Sequence, residues 1–126
     1  NLGNLNNKKI GILGLSFKEN TDDIRESVSI KLINNLLKKK SKIIVHDPKA
    51  IQNTKVKFKK KIEYCEEFEN IFNLSDCAIL MTPWENYKKI SPNMIKKLSS
   101  KVFIDTRRML KIEDKELNVI SLGIGI

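Results

Sequence analysis

Two glycines and a lysine at one apolar segment are the residues of this chain best placed to do chemistry. Residues 9 to 13 form a short apolar run that contains Gly11. Gly14 follows it, and Lys18 lies in the polar stretch that extends to Ser27. Glycine lets the backbone turn tightly where a larger side chain would collide, and lysine supplies a mobile positive charge. The segment therefore predicts a loop that binds an anionic ligand, with phosphate as the first candidate.

A dinucleotide-binding fingerprint is the main rival interpretation of these glycines. That fingerprint requires Gly-x-Gly-x-x-Gly directly before a helix and an acidic residue about twenty positions later. This chain has only Gly-x-x-Gly at Gly11 and Gly14, and its next strand-end carboxylate, Asp47, lies too far downstream. The spacing argues against a standard NAD site here. A simpler alternative stays open, in which the glycines only allow close packing and Lys18 is a solvated loop lysine.

The alternation of apolar runs and amphipathic segments predicts the fold class. Strands are expected over residues 9 to 13, 42 to 46, 62 to 65, 78 to 81, 102 to 105 and 119 to 122. Helical segments are expected after Ser27, which can cap a helix, over residues 66 to 73 and 85 to 89, and from Pro92. Residues 50 to 61 have no clear period and are predicted as a loop that can include a short edge strand. The pattern predicts a three-layer α/β/α Rossmann-like domain with a mainly parallel sheet of five or six strands.

Several polar residues follow the predicted strands and should meet at one edge of the sheet. They are Lys18, Asp47, Trp84, Arg107 and Arg108. Ligands of parallel sheets bind beyond the carboxyl ends of the strands, and cations beside an aromatic ring suit a nucleoside diphosphate. Two simpler interpretations remain: Trp84 as a packing residue, and the two arginines as a surface pair near Asp105.

Composition limits the possible functions further. The chain has 126 residues, which suits a single domain, and a net charge of +9 that could suggest a nucleic-acid binder. However, its 21 lysines are spread along the chain and accompany only 3 arginines. No apolar run is long enough to span a bilayer and no signal peptide is evident, so a cytoplasmic domain is expected. Cys65 and Cys77 lack metal-binding spacing, and His46 lacks a visible catalytic partner.

Four ordered motifs resemble the C-terminal domain of the UDP-glucose/GDP-mannose dehydrogenase family. The family pattern Gly-Leu-x-Phe-Lys, followed by Thr-x-Asp-x-Arg-Glu-Ser and a helix, is matched over residues 14 to 18 and 21 to 27. Asp47-Pro48 follows the second strand, and Thr-Pro-Trp-Glu follows a buried strand at residues 82 to 85. Residues 104 to 108 read Ile-Asp-Thr-Arg-Arg, with Thr106 where the family more often has glycine.

The resemblance implies specific roles for residues of this chain. Phe17 and Lys18 would line a UDP-sugar site, Arg107 or Arg108 would also reach the nucleotide, and Arg25 would face NAD held by another domain. No catalytic residue and no metal-binding residue is expected in this chain. Residues 8–126 would form the UDP-sugar-binding domain, and residues 1–7 would be a linker from upstream NAD-binding and central helical domains.

The implied complete enzyme oxidises the C6 alcohol of a UDP-sugar, UDP-glucose or a UDP-N-acetylhexosamine, to a carboxylate with NAD. It would be a homo-oligomer that acts in polysaccharide biosynthesis, and this domain alone would not be catalytic. Two alternatives belong to other classes. One is a stand-alone nucleotide-binding or regulatory module, and the other, less favoured, is a basic nucleic-acid binder.

Overall fold

The computed structural model describes residues 6 to 122, which form one six-stranded sheet covered by helices. The strands are β1 Lys9–Leu13, β2 Lys42–His46, β3 Glu63–Tyr64, β4 Cys77–Leu80, β5 Val102–Asp105 and β6 Asn118–Ser121. Their spatial order is β3-β2-β1-β4-β5-β6, and every neighbouring pair is parallel. The predicted Rossmann-like fold class is confirmed, and the order is the one found in dinucleotide-binding sheets.

Helices pack on both faces of this sheet. They are α1 Val28–Lys38, α2 Ile51–Phe58, α3 Glu69–Leu74 and α4 Pro92–Ile95, with short 3₁₀ turns at Lys59–Lys61 and Glu85–Lys89. On one face, Ile33 of α1 and Phe58 of α2 belong to the same apolar cluster as Ile12 of β1. On the other face, Phe72 of α3 packs with Phe103 of β5. The three predicted layers are therefore present.

The predicted strand bounds agree with the structure to within one residue at each end, but two local predictions were wrong. Residues 50 to 61, predicted as a loop with a short edge strand, form α2 and a 3₁₀ turn. Only Thr54 and Phe58 are buried on this eight-residue helix, and Val56 is 76% exposed. A helix with so small a buried face has too weak an apolar period to be recognised.

The second correction concerns Ser27, which stands at the N-cap position of α1 without capping it. Its hydroxyl instead donates a hydrogen bond to the carbonyl oxygen of Leu15 at 2.7 Å. The side chain thus connects the start of α1 to the end of β1. This contact closes the loop between them, residues 14 to 27.

The two glycines of the first motif serve different purposes. Gly11 lies within β1, where a Cβ atom would come within 2.5 Å of the Ile71 side chain of α3, so this glycine permits close packing of helix on sheet. Gly14 has a φ of +102°, and a Cβ atom there would lie 2.5 Å from the backbone nitrogen of Thr82. Gly14 is therefore required both by its backbone conformation and by the close approach of the segment after β4.

Of the predicted linker, residues 1 to 5 lie outside the described part, while Asn6 and Asn7 form a turn directly before β1. Among the helices between residues 6 and 122, none has the length and apolar character needed to cross a bilayer.

Helix α1 ends in a Schellman motif with a lysine at the position that usually holds glycine. The Lys40 amide donates to the Leu37 carbonyl at 3.0 Å, and the Ser41 amide donates to the Leu36 carbonyl at 3.1 Å. Lys40 has a φ of +63°, the left-handed conformation that this motif requires. A side chain with a Cβ atom is strained there.

We expect Lys40→Gly to raise the free energy of unfolding by about 0.5 to 1 kcal/mol, because relief of left-handed strain exceeds the entropic cost of glycine. Urea titration followed by circular dichroism measures this change. The matched control is Lys31→Gly on the exposed face of α1, which should lower stability by about 1 kcal/mol. A destabilised Lys40→Gly variant would contradict the assignment of strain to this residue.

Candidate functional site

The carboxyl edge of the sheet has a topological switch point beside β1. Strands are added on one side of β1 up to β3, and on its other side from β4 onward. Such a switch point leaves a crevice beyond the strand ends, where α/β proteins bind ligands. Here the crevice is bordered by the loop of residues 14 to 27 and by the segment that follows β4.

The carboxylate of Asp47 organises the backbone around this crevice. It is 2% exposed and follows directly after β2. Its Oδ2 accepts hydrogen bonds from the amides of Leu15 at 2.7 Å and Ser16 at 3.0 Å, and from the indole Nε1 of Trp84 at 3.1 Å. Its Oδ1 accepts from the amides of Lys49 and Ala50, at 2.8 and 2.9 Å.

Because those donors come from the ends of β1 and β4 and from the start of α2, one side chain joins three parts of the edge. From its sequence position, Asp47 was predicted at the carboxyl edge, as a strand-end carboxylate and part of a family motif, without a specific role. The structure shows it turned inward as a connector. Trp84 is 5% exposed and packs in the core, in agreement with the simpler interpretation of that residue.

Ser16 and Thr82 extend this connection, and neither was singled out from the sequence as a functional residue. The Thr82 hydroxyl donates to the Ser16 carbonyl at 3.2 Å, and both residues are buried. The Ser16 hydroxyl donates to the Lys18 carbonyl at 2.8 Å and lies 3.2 Å from Asp47 Oδ2. Ser16 is therefore held through its amide, its hydroxyl and its carbonyl.

Phe17 and Lys18 emerge from this fixed base onto the surface. Phe17 is 39% exposed, and its amide donates to the Asp23 carbonyl at 2.6 Å. Lys18 is also exposed, and within residues 6 to 122 its side chain forms no ion pair. An unpaired lysine beside an exposed aromatic ring can attract and contact an anionic aromatic ligand.

A second loop holds the arginine pair after β5. Asp105 is fully buried, and its carboxylate accepts from the amides of Arg107 at 3.0 Å and Leu110 at 2.7 Å. The Thr106 hydroxyl donates to the Leu80 carbonyl of β4 at 2.6 Å. Thr106 therefore connects this turn to the neighbouring strand β4. Asp105, the residue before it, stabilises the turn by binding backbone amides.

Arg107 is half-buried, and Arg108 is exposed with a φ of +51°. Both follow β5, which is separated from β1 only by β4. Because neighbouring strands lie about 4.8 Å apart, the loops that carry Lys18 and the arginines start about 10 Å from each other. The structure thus places the predicted cations on loops at the same edge of the sheet.

Arg25 lies on the outer side of the first loop. Its guanidinium forms two hydrogen bonds with the Asp23 carboxylate, at 3.0 and 2.9 Å, and its side chain is 88% exposed. The guanidinium lowers the pKa of the Asp23 carboxyl group. Arg25 and Phe17 line one open hollow of about 320 Å³ together with Asp23 and Glu26. The Arg25 side chain is therefore exposed and already paired with the Asp23 carboxylate.

Comparison with known proteins identifies the family. The UDP-binding domain of the UDP-glucose/GDP-mannose dehydrogenase family matches residues 11–112. The chain belongs to this family. The predicted family resemblance is confirmed, and the Gly-Leu-x-Phe-Lys motif, Asp47 and the arginine pair all lie within the matched region.

Individual relatives agree with this assignment. The chain is 32% identical to a UDP-glucose 6-dehydrogenase of Rickettsia bellii over 114 residues, which cover 89% of this chain and 26% of that protein. It is 38% identical over 88 residues to the Bacillus subtilis UDP-glucose 6-dehydrogenase YwqF, covering 70% of this chain and 20% of that protein. The structure of a UDP-glucose dehydrogenase from Pyrobaculum islandicum superposes with a TM-score of 0.77 at 28% identity, covering 97% of this chain and 26% of that one.

Dehydrogenases of this family imply NAD, but the residues of this domain do not fit NAD at the switch point. Fourteen residues, 14 to 27, separate β1 from α1, where a dinucleotide fold needs a short glycine turn that leads straight into the helix. A carboxylate has about four acceptor positions, and those of Asp47 are filled by protein donors, so none is left for a ribose hydroxyl. The rejection of a standard NAD site agrees with this geometry.

The two cysteines are packed in the interior of the domain. Cys65 and Cys77 are buried free thiols, and burial raises the pKa of both, that of Cys77 to about 11. Within residues 6 to 122, no group of three or more His, Cys, Asp or Glu side chains could hold a metal ion. Two buried thiols with raised pKa values are poor nucleophiles.

His46 is a buried residue at the end of β2 that is 5% exposed. Its Nδ1 lies 2.8 Å from the Tyr87 hydroxyl, which itself donates to the His46 carbonyl at 3.2 Å. Burial lowers the pKa of the imidazole below its ordinary value of 6.5, because the charged form loses hydration. The folded chain therefore favours neutral His46.

We expect stability to fall as the pH drops below about 6.5, because the unfolded chain then takes up a proton that folded His46 resists. The loss continues down to the lowered pKa of the folded state, with a slope of at most about 1.4 kcal/mol per pH unit. Urea titrations between about pH 7.5 and pH 5.5 measure it. His46→Gln should flatten this part of the profile; an unchanged slope would show that other groups cause it.

Proposed function

We propose that residues 8–126 are the UDP-sugar-binding domain of an NAD-dependent nucleotide-sugar 6-dehydrogenase. The chain spans only 26% of the Rickettsia bellii relative. We therefore propose that further domains of the complete protein hold NAD and the reacting groups. The reaction would be oxidation of the sugar C6 alcohol to a carboxylate, in the cytoplasm and in polysaccharide biosynthesis. The complete protein would be a homo-oligomer.

The observation that carries this proposal is the separation of charges at the carboxyl edge. Asp47 and Asp105 are turned inward and bonded mainly to backbone amides, while Lys18, Arg107 and Arg108 lie on the loops that these carboxylates hold. In the described part of the chain these three cations form no ion pair with a carboxylate, so their charges are available to an anion approaching this edge. That arrangement suits phosphate groups, since arginine binds them with two hydrogen bonds and lysine with a point charge.

Each predicted residue then has a distinct role. Lys18 would contact the phosphates, and Phe17 would contact the nucleotide beside it. Arg107 or Arg108 would also bind the nucleotide, from the second loop. Arg25 would face NAD on the upstream domain, and Asp23 would hold its guanidinium outward until the domains meet. This chain would supply binding energy that positions the sugar for reaction elsewhere.

The relatives favour glucose as the sugar. UDP-glucose 6-dehydrogenases match this chain at 32% and 38% identity. A UDP-N-acetylmannosamine dehydrogenase of Staphylococcus aureus shares only 19% identity, which supports the common fold alone. We therefore propose UDP-glucose first and a UDP-N-acetylhexosamine second.

We expect UDP to shift amide resonances of residues 14 to 18 and 105 to 108 in a nuclear magnetic resonance titration to about 10 mM, which detects dissociation constants near 1 mM. Lys18→Ala should weaken binding about tenfold, whereas Lys42→Ala, an exposed lysine at the opposite edge, should change it by less than about twofold. A random oligonucleotide provides the competing test. Oligonucleotide binding that is lost in salt, without any UDP shift, would replace the proposal with a nucleic-acid binder.

In the complete dehydrogenase, Lys18→Ala should lower kcat/KM for the UDP-sugar at least about tenfold, because nucleotide binding energy is used to position the sugar. Steady-state kinetics with NAD in excess measure the change. Lys42→Ala again serves as the control. Unchanged kinetics for Lys18→Ala would remove Lys18 from the site.

A further inference from the structure

The segment that leads to Lys18 is fixed from beneath by one carboxylate. The amides of Leu15 and Ser16, consecutive residues between β1 and Lys18, both donate to the same Asp47 oxygen, at 2.7 and 3.0 Å. Hydrogen bonds to an ionised carboxylate are stronger than those between neutral groups. Two of them on adjacent peptide groups define the direction in which the chain leaves the sheet.

The connection continues from Ser16 to Lys18 itself. The Ser16 hydroxyl has one proton, and two acceptors lie near it: the Lys18 carbonyl at 2.8 Å and Asp47 Oδ2 at 3.2 Å. The shorter contact places the hydrogen bond on Lys18. The backbone of Lys18 is thus tied to a residue that Asp47 already holds, although the Lys18 side chain remains exposed.

We propose that Asp47 is a positioning residue for the nucleotide site, which fixes the peptide groups of Leu15 and Ser16 and so the point from which Lys18 reaches the ligand phosphate. This inference rests on the proposed function of Lys18. Asp47 contacts the ligand at no point, because its acceptor positions are occupied by protein donors.

The physical need for such a residue follows from the lysine side chain. Lysine is long and flexible, and its ordering on binding opposes affinity. Fixing the backbone from which it starts limits the volume that its ammonium group explores. Asp47 also remains unavailable to pair with Lys18, so it positions the cation without neutralising it.

The experiment measures UDP affinity by the same titration in Asp47→Asn, Lys18→Ala and the double variant. Asparagine keeps the shape but replaces one acceptor oxygen with an NH₂ group that faces protein donors. We expect Asp47→Asn to weaken UDP binding about tenfold in the otherwise wild-type chain, but by less than about twofold when Lys18 is already alanine. This dependence on Lys18 is a result that a general loss of stability would not produce.

Asp76→Asn is the matched control. Asp76 also accepts a backbone amide, that of Lys9 at 2.8 Å, and a serine hydroxyl, but it lies at the amino edge of the sheet. Its substitution should destabilise the fold comparably and change UDP affinity by less than about twofold. If Asp47→Asn does not fold, Trp84→Phe removes one donor to the same Asp47 oxygen and should weaken binding about threefold, again only with Lys18 present.

The outcomes separate this inference from the proposed function. Weaker UDP binding by Lys18→Ala, together with unchanged binding by folded Asp47→Asn or Trp84→Phe, would overturn the positioning role and leave the proposed function intact. Equal weakening by Asp47→Asn with and without Lys18 would also overturn it. Absence of UDP binding by the wild-type chain would overturn both.

Discussion

The rest of the site depends on a buried negative charge that is satisfied almost entirely by backbone. A carboxylate removed from water is costly unless its oxygens receive hydrogen bonds, and Asp47, 2% exposed, receives them from both segments that border the crevice. Loss of any one segment would leave part of this charge without partners. Asp47 consequently fixes three segments relative to one another: the end of β1, the end of β4 and the start of α2. The loops that begin at these segments therefore start from fixed positions.

The same arrangement recurs after β5, where Asp105 holds the loop of the arginine pair through backbone amides. In both places the carboxylate binds main chain and the basic side chain is left outside. Arg25 differs, since it is paired with Asp23 on the surface. Exposed pairs of this kind contribute little free energy and are easily exchanged for another anion. Within residues 6 to 122, Lys18, Arg107 and Arg108 thus form no ion pair, whereas Arg25 would have to exchange its partner to bind another anion.

The sequence predicts this fold better than it predicts the interior of the site. Continuous apolar runs such as residues 9 to 13 are typical of strands buried on both faces, and their bounds were confirmed. Helix α2 was missed because only two of its eight residues are buried, which leaves too weak an apolar period. The inward orientation of Asp47 depends on Leu15, Ser16 and Trp84, which lie 32, 31 and 37 residues away, and no local pattern encodes partners at such distances. By contrast, the pairing of Arg25 with Asp23, two residues away, is accessible from the sequence.

Those sequence distances also decide when during folding the site comes into existence. A peptide of residues 11 to 27 contains the motif by which the family is recognised, yet it lacks the carboxylate that shapes it. Strands β1, β2 and β4 must all have assembled before Oδ2 of Asp47 has its donors, and such non-local pairing forms slowly because loop closure must precede it. The proposed site is therefore a property of the completed sheet, and under the proposed function nucleotide added during refolding would bind only to chains in which the sheet has already formed.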